Sequence, residues 1–460
     1  MQKTWSVWGL AGMVVVAAGG LLLAGLALEV TLGLLAVIVA LQVLYTTRHY
    51  VFTLNRLFHT QPSLYAAIDS GDWPHVTVFI AAHNEEAVLS GCIEALLKAD
   101  YPADRLCIMP VNDRSTDGTR AIIDRYVARH PGRLTPFHRE NGPPGKAAAL
   151  ADATDLVVVR GDSSLIVVFD ADYLPEPQLL KQLVAPFFDP EVGAVMGRVV
   201  PQNAGTNLLT RLLDLERSGG YQVDQQARYN LGAVAQYGGT VGGVRLAALA
   251  DAGGWRPDVL AEDTDLTFRL LIKGWQTAYL GYAECHEEVP ENWSVRFKQI
   301  SRWAKGHNQV LAKQLWPMLS QGGLHWTSRV DGVALLGVFL MSPLLALGWL
   351  ATSALVLFGS DLGINANLAI WLFIGAASFA CLGNFAAFFE VAAAVHLDGS
   401  RQRLRLMPFL LVGFLVSVVA VTKATLDGFV LDRLLRRTFT WDKTVRYRQA
   451  LPPVEGPLAP

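Results

Sequence analysis

A chain of 460 residues that is 52% apolar and only 17% charged, with a mean hydropathy of +0.31, is too greasy for an ordinary soluble protein and long enough for more than one domain. Its formal net charge of −2 excludes a general nucleic-acid binder, whose footprint is a basic surplus. Cys92, Cys107, Cys285 and Cys381 show neither CxxC pairing nor histidines at zinc spacing, so a disulfide scaffold or zinc site is excluded and the thiols read as small core residues.

Residues 5–45 are almost uninterrupted apolar sequence with Glu29 as the only charge. One crossing takes about 20 residues, so this stretch predicts a two-helix hairpin turning near Glu29. It is too long for a signal peptide and has no small-x-small cleavage site, although Lys3 precedes it.

From Arg48 to Trp326 the pattern changes to mixed charge and regular punctuation. Val76 to Ala81 is a buried-strand pattern ending in the polar turn His83-Asn84-Glu85-Glu86, and Leu106 to Val111 is a second, followed by a turn over Asn112 to Thr119. Leu165 to Phe169 is a third, ending at Asp170. Strands alternating with helices predict a mostly parallel α/β sheet, and ligands of such sheets sit at the carboxyl ends of strands, where these acidic turns fall.

Three further apolar segments cover roughly 330–358, 367–396 and 405–432. Arg401, Arg403 and Arg405 precede the last of them, and Arg433, Arg436, Arg437 and Lys443 follow it, while the 359–366 connection has Asp361 and no Lys or Arg. Positive charge stays on the cytoplasmic side. The expectation is four crossings plus an interfacial or re-entrant 405–432 segment, although Leu406 to Val421 is apolar enough to span. The domains expected are a transmembrane hairpin at 1–47, a cytosolic α/β domain with interface helices at 48–326, transmembrane and interfacial helices at 327–436, and a cytosolic loop and tail at 437–460.

Acidic positions carry the chemistry. Asp113, just after a strand, can accept from the N–H edge of a base or simply cap a helix. Asp170 and Asp172 are two carboxylates at a strand end, able to share Mg²⁺ or Mn²⁺ with a diphosphate. Glu262-Asp263 opens a helical pattern, where a carboxylate is either a cap favoured by the helix dipole or a general base. Gln299, Arg302 and Trp303 fall within one helical turn. Arg302 suits a diphosphate and Trp303 a sugar ring, while neighbouring tryptophans also suit a helix lying on a membrane.

Taken in order, Ala81-Ala82-His83-Asn84-Glu85, Asn112-Asp113, Asp170-Ala171-Asp172, Glu262-Asp263 and Gln299-x-x-Arg302-Trp303 resemble the processive family-2 glycosyltransferases: cellulose synthase, hyaluronan synthase and poly-N-acetylglucosamine synthase. The resemblance implies a GT-A, Rossmann-like α/β fold between membrane helices, in the bacterial cytoplasmic membrane with the catalytic domain cytosolic. It implies inverting transfer from a UDP-sugar to a growing polysaccharide, with accessory export subunits as candidate partners. By motif, Glu85, Asp113 and Lys146 would line the donor nucleotide, Asp170 and Asp172 would hold the metal and diphosphate, and Asp263 would be the base. Gln299 and Arg302 would grip the diphosphate near the acceptor and Trp303 would stack on the acceptor sugar. Trp441, Lys443, Thr444 and Arg446 resemble a loop that closes over the nucleotide; a basic tail near anionic lipid is the plainer reading of them.

Three positions depart from the pattern. Asn112 replaces the first of two acids, Ala261 stands where cellulose synthases carry Thr, and Ser301 where Arg is common. These departures bear on the sugar and not on the reaction class; the Glu262-Asp263-Thr264-Asp265 run resembles the glucan and poly-N-acetylglucosamine branch more than hyaluronan synthase, which implies glucose or N-acetylglucosamine. A non-processive enzyme acting on a lipid acceptor shares the donor motifs and is the alternative. An inactive scaffold is disfavoured by the intact Asp172, Asp263 and Arg302.

Overall fold

The computed structural model describes residues 28–59, 64–358 and 385–428. Eight strands among them form one sheet: β1 (Val76–Ala82), β2 (Leu106–Asp113), β3 (Phe137–Arg139), β4 (Leu165–Asp170), β5 (Leu174–Pro175), β6 (Val192–Pro201), β7 (Gly242–Arg245) and β8 (Gln276–Glu287), in the order β3-β2-β1-β4-β7-β6-β8-β5. The helices that matter to the site are α1 (Leu28–Phe58), α2 (Leu89–Leu97), α3 (Thr119–Arg129), α4 (Lys146–Arg160), α5 (Leu208–Ser218), α6 (Glu262–Ile272), α7 (Trp293–Ser320), α8 (Trp326–Gly337), α9 (Met341–Phe358), α10 (Phe385–Leu397) and α11 (Leu410–Leu426).

β1, β2 and β4 are apolar at nearly every position because both faces of a parallel sheet are covered. Val78, Ile80, Ile108 and Val167 pack with Leu89, Ile93 and Ile123 of α2 and α3. Phe79, Met109, Ile166 and Val168 face the other way, onto Leu150, Ala153 and Val157 of α4 and Leu266 and Leu270 of α6. Each such side chain contributes about 1.5–3 kcal/mol on burial, so the register is strongly specified. Ala81 pairs with both Val111 and Asp170. That alignment brings the turns after β1, β2 and β4 to one edge.

The parallel reading holds for β1 to β4, but the second half of the sheet is mixed. β7 runs antiparallel to both β4 and β6, and β5 antiparallel to β8, while β6 and β8 are parallel. The short, glycine-rich β7 had no apolar run to mark it. Cys92 and Cys285 are buried thiols and Cys107 is half-buried; Cys381 lies outside the described residues.

Among the described residues, Gly33–Phe58, Trp326–Ala351 and Arg401–Leu426 are long and apolar enough to cross a membrane. The first half of the expected hairpin lies outside the described residues, as does 359–384. The second half does not stop near Tyr45: α1 runs unbroken to Phe58. Its polar residues are held rather than ending the helix, because Arg48 bonds Asp224 at 2.9 Å and Asp331 at 2.8 Å and Asn55 accepts from Asn230 at 2.8 Å. Before α11, Arg401–Phe409 is 3₁₀ helix containing Pro408, and Arg403 bonds Asp214 at 2.6 Å and Asp398 at 3.1 Å. The basic segment is thereby tied to the α/β domain.

Candidate active site

The turns after β1 and β2 are built on two left-handed residues, Asn84 (φ 56°) and Arg114 (φ 53°). Asn84 N–H donates to Ser115 Oγ at 2.9 Å, Thr116 N–H to Asn84 Oδ1 at 2.7 Å, and Glu85 N–H to Thr119 Oγ1 at 2.8 Å. The buried Glu85 is thus fixed against the second turn. Asp113 accepts from Arg114 Nε and Arg139 Nη1, both at 2.9 Å, and from Gly145 N–H at 3.2 Å. Burial opposes its charge, but the Arg114, Arg139 and Gly145 hydrogen bonds outweigh it and hold the carboxyl below its ordinary value. Beside it opens a cleft of about 240 Å³ lined by Asn112, Arg114, His138 and Arg139 among others.

Gly145 leads into α4, whose first residue is Lys146. Lys146 Nζ donates to Asp170 Oδ1 at 2.5 Å and to the Gly239 carbonyl at 2.9 Å. Burial works against its charge, yet Asp170 and then Glu262 raise its pKa, so it stays a cation. Gly239 has φ 71°. A Cβ there would stand 3.1 Å from Asp263 Cβ and 3.5 Å from Glu262 Oε1, so this turn lies directly against the start of α6. Asp172, two residues past Lys146's partner, is 2% exposed.

Asp263 Oδ1 accepts from Thr264 N–H at 2.6 Å. Its pKa is raised, chiefly by burial, against the lowering effects of Thr264 and Lys146. Glu262 is pushed up to about 7 by burial and by the Asp263 charge beside it. Thr264 Oγ1 pairs with His307 Nε2 at 3.2 Å. Burial, with Arg228 nearby, takes His307 down to about 4, so its ring is neutral at pH 7.

His307 belongs to α7, which carries Gln299, Arg302 and Trp303. Its neighbour Gly306 seats α7 on the start of α6: a Cβ at Gly306 would lie 2.8 Å from Ala261 Cβ and 2.9 Å from Ala261 N. Gln299 Oε1 accepts from Arg296 at 2.8 Å. The Trp303 ring has Arg217 and Arg296, each 5.3 Å from its centroid. Arg217 in turn donates to Glu287 at 2.6 Å, and Tyr173 OH donates to Glu287 at 3.0 Å. Trp303 is therefore linked through Arg217, Glu287 and Tyr173 to the Asp172 end of β4. Arg302 is half-buried on the same helix.

Residues 74–306, half of the chain, match the family profile described as glycosyltransferase like family 2. The chain belongs to this family. This family-2 glycosyltransferase is 34% identical over 244 residues to "Probable glycosyltransferase YdaM" of Bacillus subtilis (53% of this chain, 57% of that protein). It is 30% identical over 250 residues to "Glucomannan 4-beta-mannosyltransferase 7" of Arabidopsis thaliana (53% and 44%). It is also 30% identical over 281 residues to "Beta-monoglucosyldiacylglycerol synthase" of Synechocystis (60% and 57%). The chain thus spans about half the length of the curated relatives it matches. The solved mannosyltransferase PcManGT of Pyrobaculum calidifontis, in complex with GDP-Man and Mn²⁺, superposes with a TM-score of 0.54 at 23% identity, over 80% of this chain and 97% of that one. At that identity the likeness shows the GT-A fold.

The glycosyltransferase domain gathers Lys146, Asp170 and Asp263 around the Gly239 turn, with Asp113 one residue away through Gly145. Trp441, Lys443, Thr444 and Arg446 lie outside the described residues. Arg139, the cation under Asp113, and the Arg217–Glu287–Tyr173 link sit in no motif, so no local pattern marks them. The Gly238-Gly239-Thr240-Val241-Gly242-Gly243 run does carry a readable signal, since its glycine density points to close approach.

Proposed function

We propose that this glycosyltransferase transfers a sugar from a UDP-sugar, glucose or N-acetylglucosamine, with inversion, to the end of a growing β-linked polysaccharide at the cytosolic face of the bacterial cytoplasmic membrane. In this reading the α/β domain acts between the flanking apolar helices, and residues 437–460 supply a closing loop. The reading is carried by one observation: the half-buried carboxylate Asp263, its pKa raised, lies across the Gly239 turn from the Lys146–Asp170 pair. A base and a donor-side cation so placed suit a displacement in which the acceptor hydroxyl attacks one face of the anomeric carbon while the diphosphate leaves from the other.

Asp263 removes the hydroxyl proton, an effect worth roughly 10²–10⁴ in rate. Lys146 and Arg302 offset the charge that builds on the leaving diphosphate. Glu85 and Asp113 position the nucleotide, with Asp113 held ionised by Arg114 and Arg139. Trp303, with Gln299 beside it, orients the acceptor ring.

Among the described residues no cluster of three His, Cys, Asp or Glu side chains is placed to hold a metal ion. Asp170 and Asp172 are two oxygen donors at one strand end, which fits Mg²⁺ or Mn²⁺, ions that complete their shells with substrate phosphate and water. Asp170 and Asp172 would hold it, and when bound it neutralises phosphate charge.

Transfer to a lipid acceptor is a second reading, favoured by a largely apolar cavity of about 210 Å³ where α5 and α7 meet α10 and α11. Purified protein in nanodiscs, given radiolabelled UDP-sugars separately with Mg²⁺ or Mn²⁺, tests both. A long product from one donor, lost in Asp263→Asn, is expected. A short lipid-linked product moves the acceptor to lipid. Activity in Asp263→Asn equal to the parent overturns the assignment of the base.

A further inference from the structure

His307 is a titratable side chain with no part in the proposed displacement, yet it reaches the first turn of α6, where Glu262, Asp263 and Thr264 lie. It follows Gly306, the residue that seats α7 on the start of α6. Two further residues of α7 fix the height of one helix against the other: Gln309 Oε1 accepts from Leu260 N–H at 3.0 Å, and Gln314 Nε2 donates to Asp265 Oδ1 at 2.7 Å. Phe339, in the turn joining α8 to α9, packs edge-on against the His307 ring with centroids 4.8 Å apart.

The buried hydroxyl of Thr264 is where three side chains meet. Gln236 Nε2 donates to Oγ1 at 2.8 Å, and Gln236 is itself clamped, its N–H donating to Gln225 Oε1 at 3.0 Å and its carbonyl accepting from Gln225 Nε2 at 2.9 Å. Oγ1 has one proton to give and two groups in reach of it, Asp263 Oδ1 at 3.3 Å and His307 Nε2 at 3.2 Å. His307 Nδ1 decides between them, because it is sealed from solvent with no hydrogen-bond partner among the described residues. Were the Thr264 proton given to Nε2, the neutral ring would carry its own proton on Nδ1. A buried N–H without an acceptor is a rarer and costlier defect than an unmet lone pair. The Thr264 proton therefore goes to Asp263, whose charge strengthens the bond, and His307 donates Nε2–H to Oγ1. Each donor in such a chain is polarised by the one behind it. Thr264 N–H adds a second bond to Oδ1 at 2.6 Å. Asp263 Oδ2 is the oxygen on the Gly239 side, 3.5 Å from a Cβ built there.

We propose that His307 is a positioning residue for the base: through the Thr264 hydroxyl it locks Asp263 Oδ1 and turns Oδ2 toward the acceptor hydroxyl across the Gly239 turn. The inference rests on Asp263 as the base and adds what aims it. Phe339 lies within Trp326–Ala351, a stretch long and apolar enough to cross a membrane, so the ring that aims the base is braced by the C-terminal apolar block. Proton removal depends on a base held in reach of the attacking hydroxyl. Loss of that aim falls on turnover and not on donor binding.

Full-length protein in nanodiscs, given UDP-glucose and UDP-N-acetylglucosamine in turn, is followed by UDP release. His307→Leu and His307→Asn leave no donor at the Nε2 position, whereas the longer amide of His307→Gln reaches it. In the first two, kcat is expected to fall on the order of fivefold, the worth of one hydrogen bond, with KM for the UDP-sugar within about twofold of the parent. His307→Gln is expected to keep kcat within about twofold of the parent. Thr264→Val removes the hydroxyl through which His307 acts, so adding His307→Leu to it is expected to cost nothing more. A role in helix packing alone would give losses that add and no rescue by the longer amide. Melting temperatures identify the folded variants, and the two amides decide the matter where His307→Leu does not fold. Parent kcat in the folded Leu and Asn variants, equal losses in Asn and Gln, or additive losses in the double variant overturns the proposal. Parent kcat in Asp263→Asn overturns the base on which it rests, and no UDP release by the parent from any donor overturns the transfer reaction itself.

Discussion

Gly306→Val puts the coupling of α7 to α6 under direct test. In the parent, Gly306 is a mid-helix residue, so any side chain there gains helix propensity, about 1 kcal/mol for Ala over Gly. Against this, the new Cβ would sit 2.8 Å from Ala261 Cβ and 2.9 Å from Ala261 N, and overpacking of this kind costs typically ~1–3 kcal/mol. For Ala the two effects nearly offset, with a net loss of about 0–2 kcal/mol. For Val the propensity gain shrinks and two further methyl groups must be placed, so the loss is about 2–3 kcal/mol. The backbone nitrogen of Ala261 cannot yield as a side chain does, and α7 must therefore shift away from the start of α6. Gln299, Arg302 and Trp303 move with it, while Asp113, Lys146 and Asp170 stay on the sheet edge. A displacement near 1 Å costs roughly 10² in turnover. UDP affinity measured by calorimetry is expected to stay within about twofold while turnover falls on that order, and Ala261→Gly is expected to rescue Gly306→Ala only in part, because it removes one of the two contacts. Parent-like turnover in Gly306→Val, or equal losses in UDP affinity and turnover, refutes the reasoning.

Two further outcomes follow from the charges. Asp263 and Glu262 both have raised pKa values, Glu262 to about 7, and a base acts only when deprotonated. Activity is therefore expected to rise with pH through a limb above the ordinary carboxylate range near ~4, and Lys146→Met, which removes a cation that lowers both, is expected to move the limb higher still; a limb at the ordinary position, or a downward shift, contradicts the assignment. Asp113 has a lowered pKa, so its contribution to stability is present above the unfolded value of about 4 and is lost as pH falls through the folded one. Asp113→Ala strips one acceptor from the buried Arg139, which keeps Asp152 at 2.5 Å, and is expected to cost about 1–3 kcal/mol at pH 7; thermal melts should show the gap between variant and parent closing below about pH 4.

The amino-acid sequence by itself determined the three apolar strands, the acidic turns after them and the apolar blocks on either side. Each is a local property: a strand buried on both faces must be apolar throughout, a turn at its end must be polar, and a crossing needs a minimum run of apolar residues. The ordered motifs were legible for the same reason, since Asp113, Asp170 and Asp172 lie at the ends of the strands that position them. Only the tertiary structure decided that β7 runs antiparallel, that Arg139 lies under Asp113, that Gly239 lets Lys146 and Asp263 share one turn, and that α1 continues past Arg48. These depend on residues far apart in sequence: Asp113 and Arg139 are 26 positions apart and Arg48 and Asp331 are 283. A buried charge is tolerated only where the fold brings it a partner, and no local pattern records which partner that is.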